Sequence, residues 1–292
     1  MTALVNDIRD FLMESGIDCV AESHCGADVL LAGRKYVVPW PVAAMCEAQA
    51  REQAALLEQL LKELAGLDAT VVVITEDRWR RQGGMMRARL LAHLDVFIPM
   101  YARNCEVRKI DKETAATFLS VNHSYGDAAC RYRYGLYLKR YTGKSLEISR
   151  LASLARNDSG VEPGTLVAVA TFSNARKWQK GDKTIRSYEW TRYASLPGVR
   201  ISGGMGKMLQ AFIQDQQPDD IMSYADLEWS EGAVYEQLGF ALEGRKEPVL
   251  FCIDQQWGRS PVRPGITEIH EAARYFQNLG SNKYRLKITE YE

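Results

Sequence analysis

Val199-Arg200-Ile201-Ser202-Gly203-Gly204-Met205-Gly206-Lys207-Met208-Leu209 is the stretch that organises this chain. Its glycines, Gly203, Gly204 and Gly206, crowd around Met205 just before Lys207 to Ile213, whose apolar spacing predicts a helix. Without a Cβ, such a backbone passes close to an anionic group and offers it free N–H donors at a helix start. The outline is a pyrophosphate cradle, with Arg200, Ser202, Gly203, Gly204, Gly206 and Lys207 as its candidate contacts. A plain strand-to-helix connection has the same composition, so both readings stand on the glycines alone.

Order favours the functional reading. Leu166 to Phe172 and Ser187 to Ser195 read as strands before the cradle; Asp220 to Ala225 reads as a strand after it, followed by a short helix ending in Leu238-Gly239-Phe240. Strands alternating with helices give an α/β (α+β) class with a mixed central sheet, in which ligands sit at strand ends. Further upstream, residues 1 to about 18 read as a helix and Met45 to Gly66 as a longer one. Ala27 to Ala32, Lys35 to Trp40 and Ala69 to Thr75 read as strands. That block ends in Glu76-Asp77-Arg78-Trp79-Arg80-Arg81 and a basic helix through Arg87 and Arg89. A new unit starts near Tyr101, which sets two domains, 1–100 and 101–292. Within the second, Cys105 to Ile110 and Tyr134 to Lys139 read as strands flanking a helix, Lys112 to Asn122. Residues 141 to 164 read as an excursion, and Trp178 to Lys183 as a polar loop inside a run of five basic residues from Arg176 to Arg186.

With 37 basic and 37 acidic residues, net charge argues for no partner, and a nucleic-acid interface has to rest on local patches. Six cysteines and four histidines lie scattered without metal-ligand spacing, so no metal site and no disulfide framework is expected. No signal peptide and no bilayer-spanning apolar run is read, which points to the cytoplasm with no membrane partner. Oligomeric state is not legible.

Several residues carry two readings each. Arg78, Arg80, Arg81 and Arg87 could line a phosphate-contacting face or a solvated helix; Glu76 and Asp77 suit a helix N-terminus. Arg131-Tyr132-Arg133-Tyr134 alternates charge and ring, which suits base stacking or an exposed edge strand; Arg176 joins the same candidate nucleic-acid surface. His123 follows a helix and precedes Tyr125-Gly126, and is either structural or substrate-facing. Arg192, in a central strand, is costly to bury unpaired and should meet a carboxylate or an anion. Asp226 at the next strand end is its expected partner, or a base.

The downstream half resembles the GNAT acyltransferase fold, whose members place a glycine-rich loop and helix after a central strand and carry a Tyr-x-x-x-Gly-Phe helix end, here Tyr235 to Phe240. Members have Gln or Arg three residues before the first essential glycine. Counted to Gly203 that position is Arg200, and counted to the Gly204/Gly206 pair it is Ile201. From about residue 25 the chain resembles phage-type homing endonucleases that join a Vsr-like, restriction-endonuclease-like domain to a GNAT-like one, the latter similar to phage Mom proteins. The residues carrying this include Ile74 to Trp79, Tyr101-Ala102-Arg103, Asn122-His123, Gly135-Leu136-Tyr137, Thr171-Phe172-Ser173, Arg192-Tyr193, Ser223 to Asp226 and Trp229-Ser230.

The resemblance implies a nuclease fold with a metal held by strand carboxylates. Asp28 suits the first, but Tyr36-Val37-Val38-Pro39-Trp40 offers no second, so a degenerate nuclease domain that docks DNA is expected. In the second domain the resemblance implies acetyl-CoA or another acyl donor on the cradle. Asp226 would be the base, Tyr235 the acid and Arg192 the charge holder, with His123 near the substrate. The leading reading is a Mom-like enzyme of phage or prophage origin, acting in a bacterial host cell, that transfers an acyl-derived group to the exocyclic amine of a DNA base, adenine favoured. The alternatives are a conventional GNAT N-acetyltransferase acting on a small amine or protein, and a non-catalytic DNA-binding relic.

Overall fold

The computed structural model describes residues 2–67, 69–140, 161–229, 232–262 and 274–290. The chain forms two compact units, Met1–Met86 with Ala225–Glu231 and Arg245–Asn282, and Arg87–Tyr224 with Gly232–Gly244 and Lys283–Glu292. Elements are numbered in chain order.

In the first unit α1 (Ala3–Glu14) opens at Thr2, whose hydroxyl accepts the Val5 N–H, and buries Leu4, Val5, Ile8 and Leu12 at helical spacing. A sheet follows in the order β1 (Val20–His24), β2 (Ala27–Ala32), β3 (Lys35–Trp40), β4 (Thr70–Thr75). Its first two pairings are antiparallel and β3/β4 is parallel, which requires the crossover that α2 (Glu47–Ala65) provides. The apolar runs of β3 and β4 are buried, as strands covered on both faces must be. After β4 come α3 (Glu76–Arg81) and α4 (Gly83–His93). A three-stranded sheet completes the unit, with β14 (Leu250–Ile253) between β15 (Arg259–Pro261) and β16 (Arg274–Gln277), and its Phe251, Ile253 and Phe276 join the core of Val38, Trp40, Leu57, Leu60 and Val73.

The second unit is built on an eight-stranded sheet. Its strands are β6 (Cys105–Lys109), β7 (Tyr132–Leu138), β8 (Leu166–Phe172), β10 (Lys183–Ser195), β12 (Asp220–Asp226), β17 (Ser281–Lys287) and β13 (Ala241–Lys246) in spatial order, with β9 (Arg176–Lys180) also on β10. From β6 to β10 the pairings are antiparallel, whereas β10 and β12 run parallel. The helix between them, α6 (Gly204–Gln216), makes the crossover and buries Met208, Leu209 and Phe212. Phe212 stacks on Phe172 with centroids 3.9 Å apart, and the rings of Tyr134 and Tyr188 meet it edge-on. The other helices are α5 (Lys112–Asn122), capped by the Asp111 carboxylate on the Thr114 N–H at 2.7 Å, and the short α7 (Ala233–Gln237). Sheet and helices together form a mixed α/β architecture.

The expected polar loop Trp178 to Lys183 is instead a two-residue hairpin joining β9 to β10, with Gly181 at φ +58 in the turn. Its alternation was hidden because all five β9 residues are exposed, so no apolar face marks the strand. The same reason hid β1 and β13. The excursion expected at 141–164 lies outside the described residues over 141–160.

Candidate active site

The central stretch begins as a strand. β11 (Val199–Ser202) pairs in parallel with β5 (Ile98–Tyr101), turning Val199 inward and leaving Arg200 and Ser202 exposed. Gly203 then takes a left-handed conformation, φ +75, which a side chain would strain. Lys207 N–H to the Gly203 carbonyl, 3.0 Å, is the first rung of α6, so the N–H groups of Gly204, Met205 and Gly206 lie outside the ladder, at the positive end of its dipole. A Cβ on Gly204 would come within 3.0 Å of the Ile201 side chain and 3.2 Å of the Tyr193 hydroxyl; one on Gly206 would come within 3.2 Å of Leu238. Close packing against Ile201, Tyr193 and Leu238 thus requires glycine at both positions, and no Cβ covers the backbone of the turn.

Two of the expected contacts are engaged elsewhere. The Lys207 ammonium donates to the carbonyls of Ala102 (2.9 Å) and Cys105 (2.6 Å), bracing the 3-10 turn Ala102–Asn104 against the helix. Arg200 lies over the Phe97 ring and 3.9 Å from Asp95 at the surface.

The two central strands meet only briefly. Parallel pairing joins Ser187, Tyr188 and Glu189 to Asp220, Ile221 and Met222; beyond Glu189, β10 bulges between Trp190 and Arg192 and continues on β8. At this parting point Ser223 Oγ lies 3.0 Å from the Trp190 carbonyl and 2.9 Å from the Tyr235 hydroxyl. A carbonyl only accepts, so with the Ser223 proton placed there the Tyr235 O–H faces Ser223 as donor. Burial pushes the Tyr235 hydroxyl above its ordinary range, so it stays protonated at neutral pH. Its ring is held by Tyr284, stacked at 5.4 Å, and by the edges of Trp190 and Phe240. Glu189, half-buried at the last paired position, is a carboxylate that sequence reasoning passed over, because nothing along the chain marks where the parallel pairing ends.

His123 and Arg192 come together around one turn. His123 Nδ1 accepts the Tyr125 N–H at 3.1 Å, which puts the proton of the neutral ring on Nε2. Arg192 Nε donates to the Gly126 carbonyl (3.1 Å) and Nη1 to the Thr191 carbonyl (2.8 Å), below the Tyr125 ring. Burial lowers the Arg192 pKa, opposed by the nearby charge of Glu189.

Asp226 is drawn into a different set of partners, in the first unit. Its carboxylate accepts the Glu228 N–H at 3.0 Å and sits 3.7 Å from Arg78. Arg78 was expected on a phosphate-contacting face, but it is only 4% exposed, paired with Glu228 at 3.0 Å and stacked on Trp229, which takes it out of reach of a nucleic acid. Beside it Arg259 donates to Asp77, to both oxygens of Glu228 and to the Thr75 hydroxyl. Burial raises the Glu228 pKa against the pull of the two guanidinium groups.

Of the other basic candidates, Arg80 pairs with Asp7 at 2.6 Å, while Arg81, Arg131 and Arg176 are exposed and Arg87 is half-buried. Arg133 stands directly across from Thr171, which stands across from Arg192 on the next strand, so the three form one row over β7, β8 and β10. Among the described residues no group of three or more His, Cys, Asp or Glu is arranged to hold a metal, and no helix is long and apolar enough to cross a membrane.

No family model and no curated protein matches the chain. Among solved structures it is similar to yncA of Salmonella typhimurium with its cofactor acetyl-CoA, at 15% identity and TM-score 0.33, over 64% of this chain and 96% of that one. It is also similar to an aminoglycoside N(6')-acetyltransferase from Legionella pneumophila, at 12% identity and TM-score 0.31, over 63% and 92%. A third similar structure is a histone acetyltransferase HPA2 and related acetyltransferase from Corynebacterium glutamicum, at 12% identity and TM-score 0.30, over 75% and 95%.

Proposed function

We propose that the chain is an N-acyltransferase of GNAT type, with an acyl-CoA donor on the Gly203 to Gly206 turn and Tyr235 as the proton donor. The observation that carries this reading is the bare turn opening α6, following the strand that parts from its parallel neighbour at Glu189. Strand ends next to such a crossover are where open α/β sheets bind ligands. The donor supplies an activated thioester. The amine nitrogen forms its bond to the acyl carbon as the carbon–sulfur bond breaks. Tyr235 gives the departing thiolate its proton, and Glu189 takes the proton that the amine loses. Glu189 replaces Asp226 as base because Asp226 already holds the Glu228 N–H beside Arg78. Arg192 and His123 shape the acceptor side of the turn at Gly126.

The test is thiol release from acetyl-CoA with a panel of amines: primary alkylamines, lysine peptides, nucleosides and oligonucleotides. Release with any acceptor supports the reading; no release by folded protein that binds the coenzyme opposes it.

A second reading makes the acceptor the exocyclic amine of a DNA base, adenine favoured, as in Mom-like modification, with the first unit a degenerate restriction-endonuclease-like domain that docks DNA. It is favoured by β3, where Tyr36 to Trp40 carries no carboxylate beside Asp28 of β2, while Arg81, Arg131 and Arg176 remain exposed. Mass spectrometry of nucleosides from cells expressing the protein tests it, since a heavier nucleoside lost in Tyr235→Phe would establish base modification.

A further inference from the structure

The sheet face that carries α5 changes character within one step. Val169 and Ala194 pack against Ala115, Phe118 and Leu119 of that helix. Two residues away on the same strands stand Thr171 of β8 and Arg192 of β10, paired with each other, and Arg133 of β7 pairs with Thr171 from the other side. Side chains two apart on a strand share a face, and so do side chains paired directly across strands. The row Arg133, Thr171, Arg192 therefore follows on the apolar ground under α5, next to Gly126, whose carbonyl accepts from Arg192.

The polar groups of this row are not spent on one another. Thr171 is 0% exposed, yet among the described residues its hydroxyl meets no partner beyond the weakly bonding thiol of Cys130. Arg133 is half-buried; its Nε is sealed from solvent without an acceptor, and it forms no ion pair among the described residues. Arg192 uses Nε and Nη1 on the Gly126 and Thr191 carbonyls, which leaves Nη2. Cys130 marks where these groups converge: the Thr171 hydroxyl and the charges of Arg133, Asp127 and Arg192 all act on its thiol, which burial keeps protonated. Asp127 and Glu189 act on Arg192 as well, but neither closes an ion pair with it, and Asp127 Oδ1 is itself buried without a partner among the described residues.

The chemistry of these groups defines a ligand. Two partly desolvated guanidinium groups around a buried hydroxyl call for an anionic oxygen group, to which a guanidinium offers paired N–H donors. Water would satisfy the hydroxyl, but it brings no charge to the arginines. The carboxylates of Asp127 and Glu189 in turn suit a cation beside that anion. We infer that Arg133, Thr171 and Arg192 bind a carboxylate or phosphate group carried by the acceptor amine, so that the substrate class is an amine bearing its own anionic group. That the ligand is the acceptor rests on the acyl-transfer reading, in which Glu189 takes the amine proton; the anion site itself does not.

The experiment is calorimetric titration of the full chain, in the absence and presence of excess coenzyme A, with three amines of similar length: γ-aminobutyrate, phosphoethanolamine and butylamine. The wild type binds one or both anionic amines at least tenfold more tightly than butylamine, and the tighter of the two identifies the group as carboxylate or phosphate. Arg133→Gln lowers that preference about tenfold, and Thr171→Val about threefold or more, while butylamine binds as before. Because the Thr171 hydroxyl has no structural bond to lose, Thr171→Val keeps the wild-type thermal midpoint; a fall of several degrees would show that the hydroxyl serves the fold and would overturn its assignment. Anionic amines bound no better than butylamine, or a preference unchanged in the folded Thr171→Val variant, would overturn the inference too. The two readings fail separately. Acetyl-CoA bound with no preference among the amines keeps acyl transfer and removes the anion site, whereas anionic amines selected by a chain that binds no acetyl-CoA keep the site and remove acyl transfer.

Discussion

Replacing Arg259 by Met removes the guanidinium that serves Asp77, Glu228 and Thr75 at once, all three no more than 2% exposed. Arg78 still holds Glu228 at 3.0 Å, so the carboxylate most affected is Asp77. A buried charge left without its partner costs about 3–5 kcal/mol, and the lost contact of the guanidinium with the Phe276 and Phe251 rings adds about 0.5–2 kcal/mol. Part of the second loss is recovered by the packing of the Met side chain, which leaves about 4 kcal/mol. For a unit of this size that corresponds to a fall of about 15 °C in Tm. Urea unfolding followed by tryptophan fluorescence reads the free energy directly. The pH dependence adds a signature. Burial already raises the Glu228 pKa above its unfolded value, and removing Arg259 takes away one of the charges holding it down. A group whose folded pKa is raised stabilises the fold below the unfolded pKa and loses that contribution as pH rises through the folded one. The deficit of the variant is therefore smaller at pH 5 than at pH 8. Adding Asp77→Asn costs less than the sum of the single changes, since both act on one network. A deficit below about 1 kcal/mol, or one independent of pH, would refute the view of Arg259 as the hub of a buried charge network.

Tyr235→Phe lowers kcat about 10²-fold or more while leaving acyl-donor KM within a few-fold, since it removes a proton donor and not a donor contact; steady-state thiol release checks this. Gly203→Ala, forced to φ +75, costs about 1 kcal/mol in thermal unfolding, more than Gly84→Ala in open space at a helix start. Asp215 accepts from the Lys109 ammonium and the Tyr134 hydroxyl, both at 2.7 Å, and these bonds lower its pKa to about 2. Its folded pKa is depressed, so its contribution is present above the unfolded value and lost as pH falls toward 2. Asp215→Asn thus costs about 1 kcal/mol at pH 7, after allowing for its solvent exposure, and almost nothing near pH 2.

Where burial wrote a pattern into the sequence, the fold was legible. Lys35 to Trp40 and Leu166 to Phe172 are apolar because both faces of their strands are covered, and both stretches are strands as expected. β9 and β13 carry no such pattern, since neither face of either is buried. The pairing of β11 with β5 was not legible either, because it joins segments about 100 residues apart and rests on backbone hydrogen bonds that any side chain permits. At the site, the glycines could be read because they are defined by what they lack. Lys207 looked like a phosphate contact next to them; that its ammonium meets the Ala102 and Cys105 carbonyls is a tertiary fact with no local trace. Arg192 was expected to need a carboxylate once buried, and carbonyl groups from Gly126 and Thr191 supply acceptors instead. Likewise the hydroxyl pair of Ser223 and Tyr235 depends on strands parting after Glu189, which spacing along the chain does not encode.

The most direct measurement is calorimetric titration of acetyl-CoA into the wild-type chain and into Gly204→Val, whose side chain would press on Ile201 and the Tyr193 hydroxyl and displace the turn. A donor held on the bare turn predicts one-to-one binding by the wild type and its loss in a variant that remains folded by circular dichroism. Folded wild-type protein that takes up no coenzyme, or a folded Gly204→Val variant that binds it equally well, would contradict the assignment of the Gly203 to Gly206 turn as the donor site.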